Sequence, residues 1–440
     1  MAENSTQPLL GDNTRMCRPR LEYPAGRVPI SLIIDDPAPY INPLHRYRLR
    51  IDRERYDDLA PSVRDSFIED FADMVQASHV RGKFTVLPYP DGLGPITRGW
   101  EGYSQEQLRH WLAVVRDRIM PAFDITPEVL THTLALDMET GRLLEPAEQL
   151  WMDVQDEDTL TRYIAYGLEL LQEVGLQPHG ITQPVTFRGD ELLYAHAIRR
   201  ALDERGLKGV GYYFLWEYSA AEHLEPELVL YDRRNARGLV SIPTGSTDVF
   251  WQTQPAEARR AGLPAPVAPM AAADRLLSAD GQSGRLAELL ASGSYIIFHS
   301  HWQSLYSDGS GDGLRGLAEV VRRVDQALAG RVVWMRMDEL ANYYAATQTC
   351  RIWMTGGAAD WRLHLDLPFA CPGLTLSLQG PAANTANLRL RVVSGEGQER
   401  PLPGPLADLQ PGQEGWAWRQ GALWLAINAL PGAQTVLIQG

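Results

Sequence analysis

Short apolar runs alternate with amphipathic stretches from Val28 to about Ala346, and beyond that point the helical period disappears. The first run, Pro29 to Ile34, is rich in β-branched residues and ends in Asp35-Asp36-Pro37. It is too short for a buried helix and predicts a buried strand that the proline stops. Lys83–Leu87, Glu128–His132, Gly180–Pro184, Val210–Trp216, Leu239–Ile242, Ser294–Phe298 and Val332–Met335 predict further strands. Between them, Ala60–Val80 reads as a helix with Val63, Phe67, Phe71, Met74 and Val75 on one side. Ser104 and Gln107 form a capping-box pattern opening a helix through Met120. Asp158–Val174, stopped by Gly175, Glu191–Arg205, Gly313–Leu328 and Asp338–Tyr344 complete the helices. Strand–helix alternation of this length predicts an α/β fold, a distorted (β/α)7–8 barrel over residues 28–346.

The remainder, 347–440, holds short alternating runs punctuated by Gly, Pro and Asn, among them Trp361–Leu367, Leu374–Leu378 and Leu423–Ile427. It predicts a small all-β sandwich domain. Residues 1–27 are polar and read as a flexible lead-in. The net charge of −14 argues against nucleic acid or an anionic membrane as a partner. Cys17, Cys350 and Cys371 make no disulfide framework and no CxxC thiolate site, and free thiols are expected. No run approaches transmembrane length and no secretory leader is visible, so a soluble, cytoplasmic protein is expected, its oligomeric state open.

The chemistry gathers at predicted strand ends. Asp35 and Asp36 end the first strand, and adjacent strand residues point to opposite sides, so the two acids need not share one job. Taken alone the pair also reads as an acidic turn. His132 follows the third strand with Asp137 five residues on, both suited to a divalent ion. His299 and His301 follow the seventh, where histidine is a natural acid near neutral pH. The loop after them carries Trp302 and Tyr306, either to stack on a sugar or simply to cap the next helix. In a barrel these strand ends converge on one face.

At this point the chain resembles the polysaccharide deacetylase (NodB-homology) family across 28 to about 345. Ile33-Ile34-Asp35-Asp36 looks like its first motif, Gly82–Pro88 its second strand, Glu128–Thr133 its histidine strand, Ile297-Phe298-His299 its last strand, and Arg331–Leu340 its closing segment. The resemblance implies a divergent deacetylase-like hydrolase with Asp35 as base, Asp36 and His132 as metal ligands and His299 as acid. It implies a divalent cofactor, zinc first, and a carbohydrate or related acylated polymer as substrate. His301, Trp302, Tyr306, Gln183 and Arg188 are the expected substrate contacts. Two positions depart from the pattern. The second family histidine, four residues after the first, is Leu136, and Asp137 or His179 is expected to stand in. The fourth-strand arginine motif is replaced by Gln183-Pro184-Val185, with Arg188 nearby. Two other readings stay open: a glycoside hydrolase pairing Asp35 or Asp36 with Asp248 or Asp308, and a non-catalytic carbohydrate-binding protein on a degenerate barrel.

Overall fold

The structure, a computed structural model, describes residues 18–43, 45–46, 60–183, 187–357, 360–379 and 388–439. The chain divides into two compact units, Val28–Ala345 and the residues up to Arg27 together with those from Ala346 onward. Cys17, Pro184 and Val185 lie outside the described residues.

The larger unit is mixed α/β. Its central strand β1 (Val28–Asp35) is flanked in parallel by β2 (Gly82–Val86) and then β3 (Phe123–Pro127). A second sheet holds β4 (Gly180–Thr182), β5 (Val210–Phe214) and β6 (Arg237–Ser241) in parallel, with Glu227–Asp232 antiparallel at its edge. The other side of β1 pairs with β7 (Ile296–His301) and, lower down, with β8 (Val332–Trp334). Isolated parallel bridges, Ile125–Pro178 and Glu128–Thr182, connect β3 to β4. On the far side the Gly245 N–H donates to the Ile297 carbonyl over 2.8 Å, tying the segment after β6 to β7.

The alternation along β1 explains its burial. Ile30, Leu32 and Ile34 enter a core shared with helix α1 (Ser66–Gln76) through Phe67 and Phe71. Ile33 and Asp35 take the opposite face, and both faces are closed to solvent, as in parallel sheets covered by helices. Close pairing of β1 and β2 depends on Gly82, where a Cβ would fall 1.8 Å from the Leu32 carbonyl oxygen.

Several boundaries differ from expectation for identifiable reasons. The first helix begins at Ser66, not Ala60. The third strand is Phe123–Pro127 and not the expected Glu128–His132, where the chain instead bends through positive φ at Val129 and His132. An unexpected antiparallel pair, Leu134–Asp137 with Arg142–Ala147, follows. No helix among the described residues is long and apolar enough to cross a membrane.

The smaller unit is two antiparallel sheets. One orders Pro19–Glu22, Cys371–Gln379, Ala422–Ala429 and Gly415–Arg419; the other runs from Arg351–Gly357 through Asp360–Leu367, Gly432–Gln439 and Arg389–Val393 to Glu399–Leu402. The described part of the expected lead-in is therefore not loose: Pro19–Glu22 is an edge strand of this unit. Cys371 is buried and Cys350 half-buried, and the two are not joined by a disulfide.

Trp302, expected to stack on a sugar, is instead a core residue. It begins a short helix (Trp302–Tyr306), is almost wholly buried, and packs on Phe67 at 4.6 Å and on Phe71 and Phe84 at 5.6 Å between ring centroids. Tyr306 sets its ring edge-on to the same Phe67. Truncating a fully buried tryptophan removes its transfer free energy and leaves a cavity, so Trp302→Ala is expected to cost about 3–5 kcal/mol of unfolding free energy. Urea denaturation read by circular dichroism measures this; a change of a few tenths would place the indole outside the core.

Candidate functional site

The C-terminal ends of β1, β3 and β7 carry the polar side chains that the apolar alternation does not use. Asp36 leaves β1 with φ of 68°, a conformation uncommon for a residue with a Cβ. Its backbone N–H donates to Glu128 Oε2 at 2.8 Å, and Thr85 Oγ donates to the same oxygen at 3.1 Å. The loop after β3 returns His132 over this pair. His132 Nε2 lies 2.6 Å from Asp36 Oδ1 and 3.3 Å from Glu128 Oε1. That loop is held by Glu148, a fully buried carboxylate that accepts the backbone N–H groups of Leu130, Thr131 and His132 and the Tyr163 hydroxyl. Burial opposes a charge on His132, but Asp36 and Glu128 outweigh it and hold its pKa well above the usual value. Burial likewise opposes ionisation of Asp36, and His132 reverses this, holding the carboxyl below its ordinary range.

Asp36, Glu128 and His132 each offer a ligand atom, all within 4.8 Å of one another. Two carboxylates and an imidazole are the donor types of zinc and related divalent ions. Asp36 Oδ2 is buried with no protein partner, which leaves an acceptor free for such an ion. The residues therefore fit a divalent metal. The expected third ligand does not belong to this set. Asp137 turns away to cap its own hairpin, accepting from the backbone of Glu139 at 2.9 Å and Thr140 at 3.3 Å. Glu128, four residues before His132, takes that place.

Asp35, the last residue of β1, has a different partner from Asp36. Its Oδ1 accepts from Lys83 Nζ at 2.9 Å, and the wholly buried ammonium also donates to Thr182 and lies 4.9 Å from the Phe214 ring centre. A buried ion pair costs desolvation of both charges, and breaking it leaves one uncompensated.

At the end of β7 the two histidines diverge. His301 Nδ1 is 2.9 Å from Asp248 Oδ2, an oxygen that also accepts the His301 backbone N–H and the Ser304 hydroxyl. Burial disfavours its cation, but the Asp248 bond and the nearby Asp36 charge raise its pKa to about 9. His299 is buried without such a partner. Desolvation and the neighbouring His301 lower its pKa to about 4, so it is neutral at pH 7. Its Nε2 sits 3.5 Å from Glu217 Oε2. His299 therefore does not hold the proton that an acid at neutral pH must donate, contrary to the expectation from the resemblance.

The other expected contacts are placed differently. Gln183 is buried and its Oε1 accepts from Tyr194 on the helix Glu191–Glu204. Arg188 is exposed, its backbone N–H bound to Asp153. Asp308 accepts the backbone N–H of Ala60. His179 belongs to a second cluster at the start of the strands. There Asp124 Oδ1 takes His179 and Arg336 while Oδ2 takes the Tyr212 hydroxyl. Glu128, Glu148, Lys83 and Glu217 were not singled out in the sequence. Only Glu128 carried a usable signal, the four-residue spacing that places it beside His132 after a bend.

No family model matches the chain, and no curated protein does. Solved structures show distant likeness. An α-fucosidase of Thermotoga maritima is 8% identical, covers 94% of this chain and 96% of its own, and has a TM-score of 0.32. A 4-α-glucanotransferase of Thermococcus litoralis is 12% identical over 71% of this chain and 39% of its own, with a TM-score of 0.37. A family 30 glycoside hydrolase, a xylanase of Clostridium acetobutylicum, is 9% identical over 97% of each chain at 0.28. None of these three is a deacetylase, and TM-scores below 0.5 leave the activity of this chain to be argued from its own residues.

Proposed function

We propose that the α/β unit is a hydrolase acting on a carbohydrate or an acylated relative, working at a divalent-metal site of Asp36, Glu128 and His132. The strands linked by the bridges after β3 and β6 are read as a distorted barrel with this site at its C-terminal end. The single observation that carries the reading is the convergence, within 4.8 Å, of Asp36 from one segment with Glu128 and His132 from another. A divalent ion held there, zinc being the first candidate, supplies Lewis acidity and a more acidic water.

The chain's own groups divide the remaining work. Asp35, fixed by Lys83, is the carboxylate that accepts a proton from water. His301, positioned by Asp248, supplies a fixed positive charge against developing negative charge on the substrate. Removal of an acyl group is the reaction this arrangement suits first. Cleavage of a glycosidic bond is a second reading. It is favoured by Glu217, whose carboxyl burial raises while that of Asp36 is lowered, the separation of acid from base that such chemistry uses. The glycosidase names among the similar structures agree with it without carrying it.

Two measurements test this reading. Elemental analysis of the purified protein after incubation with zinc is expected to show one equivalent bound. His132→Ala is expected to lose it together with all turnover of acetylated sugars, while keeping its far-ultraviolet circular dichroism. Zinc retained in the variant would remove His132 from the site. The second concerns charge. The raised His301 contributes about 3 kcal/mol of stability that is complete below its unfolded value of 6.5 and lost as pH rises through about 9. The lowered His299 acts in the other direction, its contribution present above 6.5 and lost as pH falls towards about 4. Urea unfolding across pH 4–10 is therefore expected to peak near neutrality, and Asp248→Asn should flatten the alkaline decline. An unchanged alkaline slope in that variant would show that Asp248 does not hold the His301 charge.

A further inference from the structure

Glu217 lies just past β5, joined by an isolated parallel bridge to Thr244, so it stands at the same strand ends as the cluster on β1 and β7. Its side chain is 38% exposed, whereas the His299 ring beside it is almost fully enclosed. The 3.5 Å contact between Oε2 and Nε2 therefore puts the carboxyl on the open side and the imidazole behind it. His299 is fixed in turn. Its backbone N–H donates to Ser246, its ring lies 5.2 Å from that of His301 and 6.2 Å from that of Phe214, and Nδ1 has no protein partner.

We infer that Glu217 is the catalytic residue that protonates the leaving group, with His299 a positioning residue that holds its carboxyl. The inference rests on the hydrolase reading above and names a donor that reading lacks. The charges around the pair favour a neutral contact over an ion pair. Desolvation and the His301 cation both disfavour a charge on His299, with Lys83 adding to them against Asp35 and Asp248. Around Glu217, partial burial and the Asp248 charge favour the protonated carboxyl, while Ser219 and His301 oppose it. Of the two, Glu217 is the member that faces solvent and whose carboxyl is shifted towards holding a proton, so it is the one placed to present a proton to a leaving group.

In ester hydrolysis, the water oxygen bonds to the acyl carbon and its proton passes to Asp35. The bond from acyl carbon to leaving oxygen then breaks with its electron pair on that oxygen. That oxygen takes the Glu217 proton, and the proton held by Asp35 returns to Glu217 through solvent. Ester and water become acid and alcohol, and both carboxyl groups end as they began.

The test uses two acetyl esters that differ in leaving group, with the full chain loaded with zinc. Nitrophenolate leaves 4-nitrophenyl acetate without a proton, whereas a sugar alkoxide leaving glucose pentaacetate needs one. Glu217→Gln is expected to slow the sugar ester about 100-fold and nitrophenyl acetate by less than about threefold. The alkaline limb of the sugar-ester pH profile should disappear with it. Equal loss on both esters, or loss on neither, overturns the assignment while the hydrolase reading stands. No hydrolysis of either ester by the wild type overturns the assignment together with the acyl-removal reading on which it rests. The nitrogen shifts of a ¹⁵N-labelled His299 give a readout free of turnover: a neutral ring at pH 7 is expected, and an imidazolium there would mean an ion pair with Glu217 and would refute the inference.

Discussion

The Glu148 carboxylate is the constraint on which the candidate site depends. The segment after β3 turns through positive φ at Val129 and His132, conformations that cost free energy for residues with a Cβ. Three consecutive backbone N–H groups, those of Leu130, Thr131 and His132, would be left without partners in the interior. Glu148 accepts all of them, and the Tyr163 hydroxyl completes its shell. The strain and the buried acid support each other. The loop needs an acceptor of that shape, and the carboxylate is tolerable in the core only because it is so fully bonded. The product is an imidazole delivered onto Asp36 and Glu128 from a segment that as a plain strand would have carried it elsewhere.

Charge balance around the site follows the same economy. Each buried anion has a cation or a proton-bearing group assigned to it. Asp35 has Lys83, Asp248 has His301, and Asp36 with Glu128 shares His132. His299 is left outside this pairing, which is why it is neutral and why its contact with Glu217 differs in kind from the others. Two histidines separated by one residue on one strand thus differ in protonation, because His301 is hydrogen-bonded to a buried carboxylate and His299 is not.

Much of this frame could be read from the sequence. The apolar alternation of β1 with acids at its end placed Asp35 and Asp36, and periodicity placed the main helices near their observed positions. Local pattern could not report what depends on non-local partners. The resemblance put the second histidine at Leu136 and left Asp137 or His179 to stand in for it, because His132 is there the first of a pair. The bend at Val129 makes it the second, with Glu128 before it. Trp302 and Tyr306 look like a sugar platform in one dimension, but in three Trp302 is core and the half-buried Tyr306 packs on the same α1 residue, Phe67. Lys83 reads as an ordinary strand residue until β1 and β4 bring Asp35 and Thr182 to its ammonium.

The two polar clusters of the α/β unit show why satisfaction of hydrogen bonds separates a site from a brace. At the start of the strands, Asp124 is as buried as Asp36, yet each of its oxygens is bonded and the Arg336 guanidinium supplies a permanent charge. A metal ion there would have to displace that guanidinium, so the cluster reads as a structural network closing that end. At the opposite end, Asp36 Oδ2, His132 Nδ1 and His299 Nδ1 are buried with no protein partner. Leaving a buried polar group unpaired costs on the order of 1–3 kcal/mol. The free Asp36 oxygen stands beside Glu128 and His132, so an incoming ion can take it up without breaking a bond which that oxygen makes within the chain, and this is the physical difference between the two clusters.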